Sequence, residues 1–229
     1  MFDGVTLSNA NYDNLLIGWN TQTLQSGVTF HGGNSQYCLG ETARANMIAN
    51  DSWTITDGGS TGGAGCSPFV MTIKTDNPGT SNNMQFTIPV LGTTPNYNVD
   101  WGDNSTSAGV AGNITHTYAT PGTYVVSITG DFYQIFYDST SDNNKILSID
   151  QWGSIAWNSF ERAFSGCSNL QILASDIPDL SGVTNMSFMF KGCSVLSSGI
   201  FNSWDTSNVT DMREMFNGAA LFNLSLIHI

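Results

Sequence analysis

The chain has 229 residues, 40% of them hydrophobic and only 10% charged, with a formal net charge of −12. Average soluble domains carry about 25% charged residues, so Ser, Thr, Asn and Gly must build much of this surface. Only six side chains are basic, Arg44, Lys74, Lys145, Arg162, Lys191 and Arg213; this balance argues against nucleic acid and anionic membrane as partners, and no apolar run approaches a membrane span.

Residues 1–59 read as two helix-then-strand units. Leu15, Leu16 and Trp19 have helical spacing and predict a helix over 8–19, with Ser8 or Asn9 as its N-cap. A strand at 28–30 ends in Gly32-Gly33. A second helix over 41–49 leads to a strand at 53–56 that ends in Gly58-Gly59. The two glycine pairs stand 58 − 32 = 26 apart. Such units suggest the end of a repeat array, with Phe2-Asp3-Gly4 as a remnant of the unit before. Met1 is followed by no targeting region, and the chain opens inside an element, so the natural start is expected upstream.

Residues 60–66 are a linker by composition. Beyond them the pattern changes to period two. Phe69, Met71 and Ile73 alternate with polar neighbours; so do Met84, Phe86 and Ile88, then Tyr97, Val99 and Trp101. Tyr124, Val125, Val126 and Ile128 make a longer strand, and residues 132–136 suggest one more. Turn signals fall at Asn77-Pro78-Gly79, Thr94-Pro95-Asn96, Gly102-Asp103-Asn104 and Thr120-Pro121-Gly122. Short strands with regular turns over 67–138 predict a β-sandwich.

Residues 139–223 repeat themselves. The segment around Phe164 (Ala163-Phe164-Ser165-Gly166-Cys167) matches those around Phe190 and Phe216 at steps of 190 − 164 = 26 and 216 − 190 = 26. A second block, around Val183, matches the one around Val209 at the same step. A fixed period in the twenties predicts a solenoid whose units bury their apolar faces against one another. Phe164, Phe190 and Phe216 should then form one ladder; Val183 with Val209 and Met186 with Met212 should form others. Thr184 and Thr210 stand where a short helix would need an N-cap, and residues 146–149 should open the first rung.

Two stretches carry family resemblances. Val99-Asp100-Trp101-Gly102-Asp103-Asn104-Ser105, followed by His116-Thr117-Tyr118 and Pro121-Gly122-Thr123-Tyr124, resembles the polycystic-kidney-disease (PKD) domain over residues 67–131. Asn104 stands where that family usually has Gly, and Asn is the next best residue for positive φ. The repeats, with Val183-Thr184-Asn185-Met186 and Val209-Thr210-Asp211-Met212, resemble the BspA-like leucine-rich-repeat surface proteins of bacteria. Together the resemblances imply a modular, mostly β chain: leucine-rich-repeat-like solenoid segments flanking a PKD-type, immunoglobulin-like β-sandwich. They imply structural roles for Trp101, Gly102, Asp103, His116, Tyr118, Pro121 and Gly122.

Candidate chemistry is sparse. His116 has no nucleophile or metal motif beside it, and no HExxH, GxSxG or phosphate-binding loop occurs. Asp100 and Asp103 are weak candidates for a calcium ion, which needs six or more oxygens. No cofactor and no catalytic residue are expected. Cys167 and Cys193 share a repeat position, either as a bridge or as stacked thiols, whereas Cys38 and Cys66 could tie the linker to the second helix–strand unit. The last six residues, Leu224 to Ile229, break the register and resemble the in-frame translation of a transposon adapter used in sequencing libraries; they are expected to be an assembly artefact. The reading is a monomeric, non-enzymatic, secreted or cell-surface bacterial protein that binds an extracellular protein or glycan. The alternative is an accessory module of a larger secreted polysaccharide- or protein-degrading enzyme.

Overall fold

Alternating apolar residues become strands, as in Phe69–Lys74 and Gln85–Ile88. A computed structural model describes residues 4–7, 9–60, 67–92, 96–138 and 141–222. The chain divides into two compact units, 1–67 and 68–229. Phe2, Asp3, Ser8, Cys66, Thr94, Pro95 and the tail from Asn223 onward lie outside the described residues.

The first unit runs α1 (Asn9–Asn20), β1 (Thr29–His31), α2 (Glu41–Asp51) and β2 (Thr54–Thr56). The two strands pair in parallel with Thr29 opposite Thr54, a step of 54 − 29 = 25. Tyr12, Leu16, Phe30, Ala43, Met47 and Ile55 form its core. Buried Asp13 on α1 accepts the backbone amides of Cys38 at 2.7 Å, Leu39 at 2.9 Å and Gly40 at 2.8 Å. A carboxylate thus sits at the start of α2, where orphan amides and the helix dipole favour negative charge. Arg44 pairs with Asp57 at 2.8 Å, and the Tyr12 hydroxyl donates to the same carboxylate at 2.7 Å.

The second unit contributes β3 (Phe69–Lys74), β4 (Gln85–Ile88), β5 (Asn96–Asp100), β6 (Thr106–Val110), β7 (Ile114–Thr117), β8 (Thr123–Asp131), β9 (Ile146–Gln151) and β10 (Gln171–Ile172). Six strands form one sheet in the order β10-β9-β3-β8-β5-β6, while β4 and β7 pair separately. The large sheet is mixed, because β9 runs antiparallel to β3 and β10 parallel to β9. Phe69, Met71, Ile73, Phe86, Ile88, Tyr97, Val99 and Trp101 are buried in one cluster with Phe164 and Phe190. Met84 departs from its alternation and is exposed, because β4 begins only at Gln85. Residues 132–136 form no strand beyond β8; Phe132 and Ile135 are nevertheless buried.

The expected leucine-rich-repeat solenoid segments flanking a β-sandwich are not what folds: among the described residues the chain is β-rich, with two short α-helices and a mixed six-stranded sheet. Among the described residues of the repeated region, β9 pairs in parallel with two-residue β10, and beyond them only the isolated bridges Ala156↔Asp179 and Asn185↔Asp211 occur. The cause is local backbone geometry. Arg162, Phe188 and Glu214 adopt φ of 52°, 60° and 52°, and Gly166, Gly192 and Gly218 are also at positive φ. Two left-handed residues four apart break any extended path. The carbonyls of Met186, Phe188 and Phe190 are consequently taken by the amides of Met189, Lys191 and Cys193 in consecutive turns. No helix follows Thr184 or Thr210 either. Asn185 and Asp211 accept the amides of Ser187 and Arg213 instead, at 2.9 and 3.0 Å.

A buried ion pair locks the second unit. Lys145, fully buried, donates from Nζ to Ser81 Oγ at 2.7 Å and to the carbonyls of Ser81, Asn82 and Gln85 at 3.2, 2.7 and 2.8 Å. Asp142, equally buried, accepts Ser81 N–H at 2.9 Å and Thr87 N–H at 2.8 Å. Burial pushes the Lys145 ammonium below its usual range, against the opposing pull of Asp142.

Candidate functional site

The turn after β5 and the strand β7 bring Trp101, Asp103 and His116 together. Trp101 is buried at the end of β5, and its Nε1 donates to Ser107 Oγ at 3.0 Å. Asp100 accepts Gly102 N–H at 2.9 Å. Gly102 has φ of 75°, and a Cβ there would collide with the Val125 carbonyl oxygen, so no other residue fits. Asn104 follows at φ 67°. Asp103 Oδ1 then accepts Ser105 N–H at 3.0 Å and the Ser105 hydroxyl, while Oδ2 meets His116 Nε2 at 2.8 Å. Burial alone would raise the Asp103 carboxyl, but the hydrogen bonds from Ser105 and His116 prevail and hold it at about 2.

The aromatic rings continue the clasp. His116 stacks on Trp101, its edge meets Tyr118 at 4.5 Å, and Tyr118 stacks on Tyr124 at 3.9 Å. The Tyr118 hydroxyl donates to the Trp101 carbonyl at 3.1 Å. Gly122, beside exposed Pro121, bonds from its amide to Thr75 Oγ1 at 2.9 Å, anchoring the last corner before β8.

Asp103, His116 and Ser105 are an acid, a histidine and a hydroxyl in contact, yet they do not form a nucleophile relay. Ser105 Oγ, at 3.3 Å, and Asp103 Oδ2 both meet the same ring nitrogen of His116. A relay requires the orienting carboxylate on one nitrogen and the nucleophile on the other. Asp100 Oδ1 and Asp103 Oδ1 each accept a turn amide, and Asp103 Oδ2 is taken by His116. Among the described residues, no group of three or more His, Cys, Asp or Glu side chains could hold a metal ion.

The repeated region places Phe164, Phe190 and Phe216 in a column, with ring centroids 5.9 and 5.7 Å apart and planes 11° and 16° from parallel. Val183 and Met186 are buried; Val209 is half-buried and Met212 is 43% exposed, because the last described rung has less cover. Cys167 and Cys193 are buried free thiols, and burial pushes Cys193 up to about 12. Cys38 is disulfide-bonded; the position proposed as its partner, Cys66, lies outside the described residues.

A surface column escaped the sequence reading. Arg162 pairs with Asp138 and lies 4.8 Å over the Phe188 ring; Lys191 approaches the same ring at 5.1 Å and pairs with Glu214 at 2.7 Å. The signal was present: residues 162, 188 and 214 keep the 26-residue step, two places before each ladder Phe. Their different chemistry (Arg, Phe, Glu) hid it.

Among the described residues, no helix is long and apolar enough to cross a membrane. No curated protein and no solved structure matches the chain. One family model does match, over residues 158–228 and so over less than half of the chain: that of a Mycoplasma protein of unknown function, DUF285.

Proposed function

We propose that this chain is a non-enzymatic binding protein of the bacterial surface or the secreted fraction, holding an extracellular protein or glycan. One observation carries the reading. In the cluster with the side-chain types of a catalytic site, Asp103 accepts the Ser105 amide and hydroxyl and holds His116 Nε2, so these groups bind one another across the corner between β5 and β7. The compartment is supported by the disulfide at Cys38, since such bonds persist where thiols are oxidised. The matched family is found in BspA-like surface proteins, which supports kinship with them for residues 158–228. For residues 67–131 we propose kinship with PKD domains, on the motifs around Trp101 and His116.

The test is to offer the purified chain immobilised glycans and matrix proteins, and in parallel a broad panel of glycan and peptide substrates. Saturable binding without turnover is expected. Turnover that disappears on changing a single Asp or Glu would refute the reading.

A further inference from the structure

Asn-x-Ser/Thr is the acceptor pattern for an N-linked sugar. It can be used in a folded chain only where the amide and the hydroxyl two places on are both open to an enzyme. Among the described residues the pattern begins at Asn50, Asn104, Asn113, Asn185 and Asn208. The fold closes all but one of them. Asn50 lies in the last turn of α2, where side chains two apart do not face each other. Asn113 Oδ1 accepts the Val90 amide at 2.8 Å, and the Thr115 hydroxyl is bonded to that of Thr87 at 2.9 Å. Asn185 Nδ2 donates to Glu161 at 3.2 Å, while its Oδ1 takes the buried Ser187 hydroxyl at 2.7 Å. Asn208 Nδ2 donates to the Ser181 carbonyl at 3.1 Å, and the Thr210 hydroxyl to the Thr184 carbonyl at 3.2 Å.

Asn104-Ser105-Thr106 is different. It forms the turn between β5 and β6, and its burial alternates: Asn104 exposed, Ser105 half-buried, Thr106 exposed. The middle residue is anchored, because Ser105 gives its amide and hydroxyl to Asp103 Oδ1 and meets His116 Nε2. Among the described residues, neither Asn104 nor Thr106 has a side-chain hydrogen-bond partner. The clasp that holds Ser105 inward thus leaves the amide and the hydroxyl on either side of it open to solvent.

We propose that Asn104 is an acceptor for an N-linked sugar, transferred to the folded chain from a nucleotide-activated sugar by a separate transferase. Asn104 Nδ2 bonds to the anomeric carbon. The bond from that carbon to the diphosphate oxygen breaks, the nucleoside diphosphate leaves with the electron pair, and Nδ2 gives up one proton to the transferase. The proposal goes beyond the reading above and stands without it, since it needs no particular ligand for the chain.

The folded full chain is incubated with UDP-glucose and a soluble N-glycosyltransferase that reads Asn-x-Ser/Thr, and the product is read by intact mass and peptide mapping. A single added hexose, at Asn104, is expected. Asn104→Gly, which suits the left-handed backbone, and Thr106→Ala should each remove it while the melting curve stays that of a folded chain. Synthetic peptides spanning Asn113 and Asn185 should accept the sugar that the folded chain refuses at those positions. A folded chain that gains no hexose would overturn the proposal. So would sugar placed at Asn113, Asn185 or Asn208 ahead of Asn104, or a hexose that persists at full yield in Asn104→Gly.

Discussion

His116 lies nearly parallel on Trp101, with ring centroids 4.7 Å apart and planes 12° from parallel, while its Nε2 holds Asp103. A buried ring, an imidazole and a carboxylate therefore act as one clasp across the corner between β5 and β7. Its polar atoms face one another, and this is why the same residue types that suggest chemistry serve structure here.

The clasp has a pH signature. The Asp103 carboxyl sits at about 2 in the folded chain, below its usual value of 3.8. A lowered folded value means the stabilisation is fully present above about 4 and fades as pH falls toward 2. Asp103→Asn should cost roughly 1–2 kcal/mol at pH 7 and much less at pH 2. Denaturant unfolding at both pH values checks this; an equal loss at both would exclude the carboxylate as the source.

The buried lysine should tolerate no truncation. Lys145→Met leaves three carbonyls and Asp142 without their partner and should cost on the order of 3–5 kcal/mol. Gly79→Ala should also destabilise, because a Cβ there would lie 2.5 Å from Asp142 Oδ1 and 2.7 Å from Lys145 Cε. Thermal melts of both variants test the pair; a Lys145→Met protein as stable as the parent would show that the cage is not formed.

Thiol chemistry should sort the cysteines by environment. Only the thiolate reacts, and Cys193 at about 12 should alkylate roughly a thousandfold slower than a free thiol. In the folded chain at pH 8, Cys167 and Cys193 should stay unlabelled; both should label in denaturant. Cys38 should label only after reduction as well. Peptide mapping reads each site, and rapid labelling of Cys193 in the folded chain would mean that the stack is open there.

How much of this was legible depended on the range of the signal. Alternation in Phe69–Lys74 and the glycine at 102 are local, and the positive φ of Asn104 followed from its place in the turn. The helices and strands of the first unit were legible from spacing and glycine pairs in the same way. The repeat period was visible, but its backbone was not: Arg162, Phe188 and Glu214 give no compositional hint of left-handed geometry, so a capped helix after Thr184 and Thr210 was expected where turns form. Lys145 and Asp142 were invisible because their partners lie about sixty residues away in a Ser- and Asn-rich loop that reads as surface.

The left-handed column makes its own prediction. Glu214→Gly removes an exposed ion pair worth about 0–1 kcal/mol and relieves a left-handed backbone that costs a side-chain-bearing residue about 1 kcal/mol or more. The variant should be as stable as the parent or slightly better, by denaturant midpoint. A loss above about 2 kcal/mol would contradict the assigned backbone.

The stacking of turns at the 26-residue step is tested most directly by comparing Phe190→Ala with Phe216→Ala in denaturant unfolding. Phe190 is fully buried between two parallel rings, and its loss should cost roughly 3–5 kcal/mol. Phe216 is half-buried at the last described rung, and its loss should cost less than half as much. Equal losses near zero would contradict the stack.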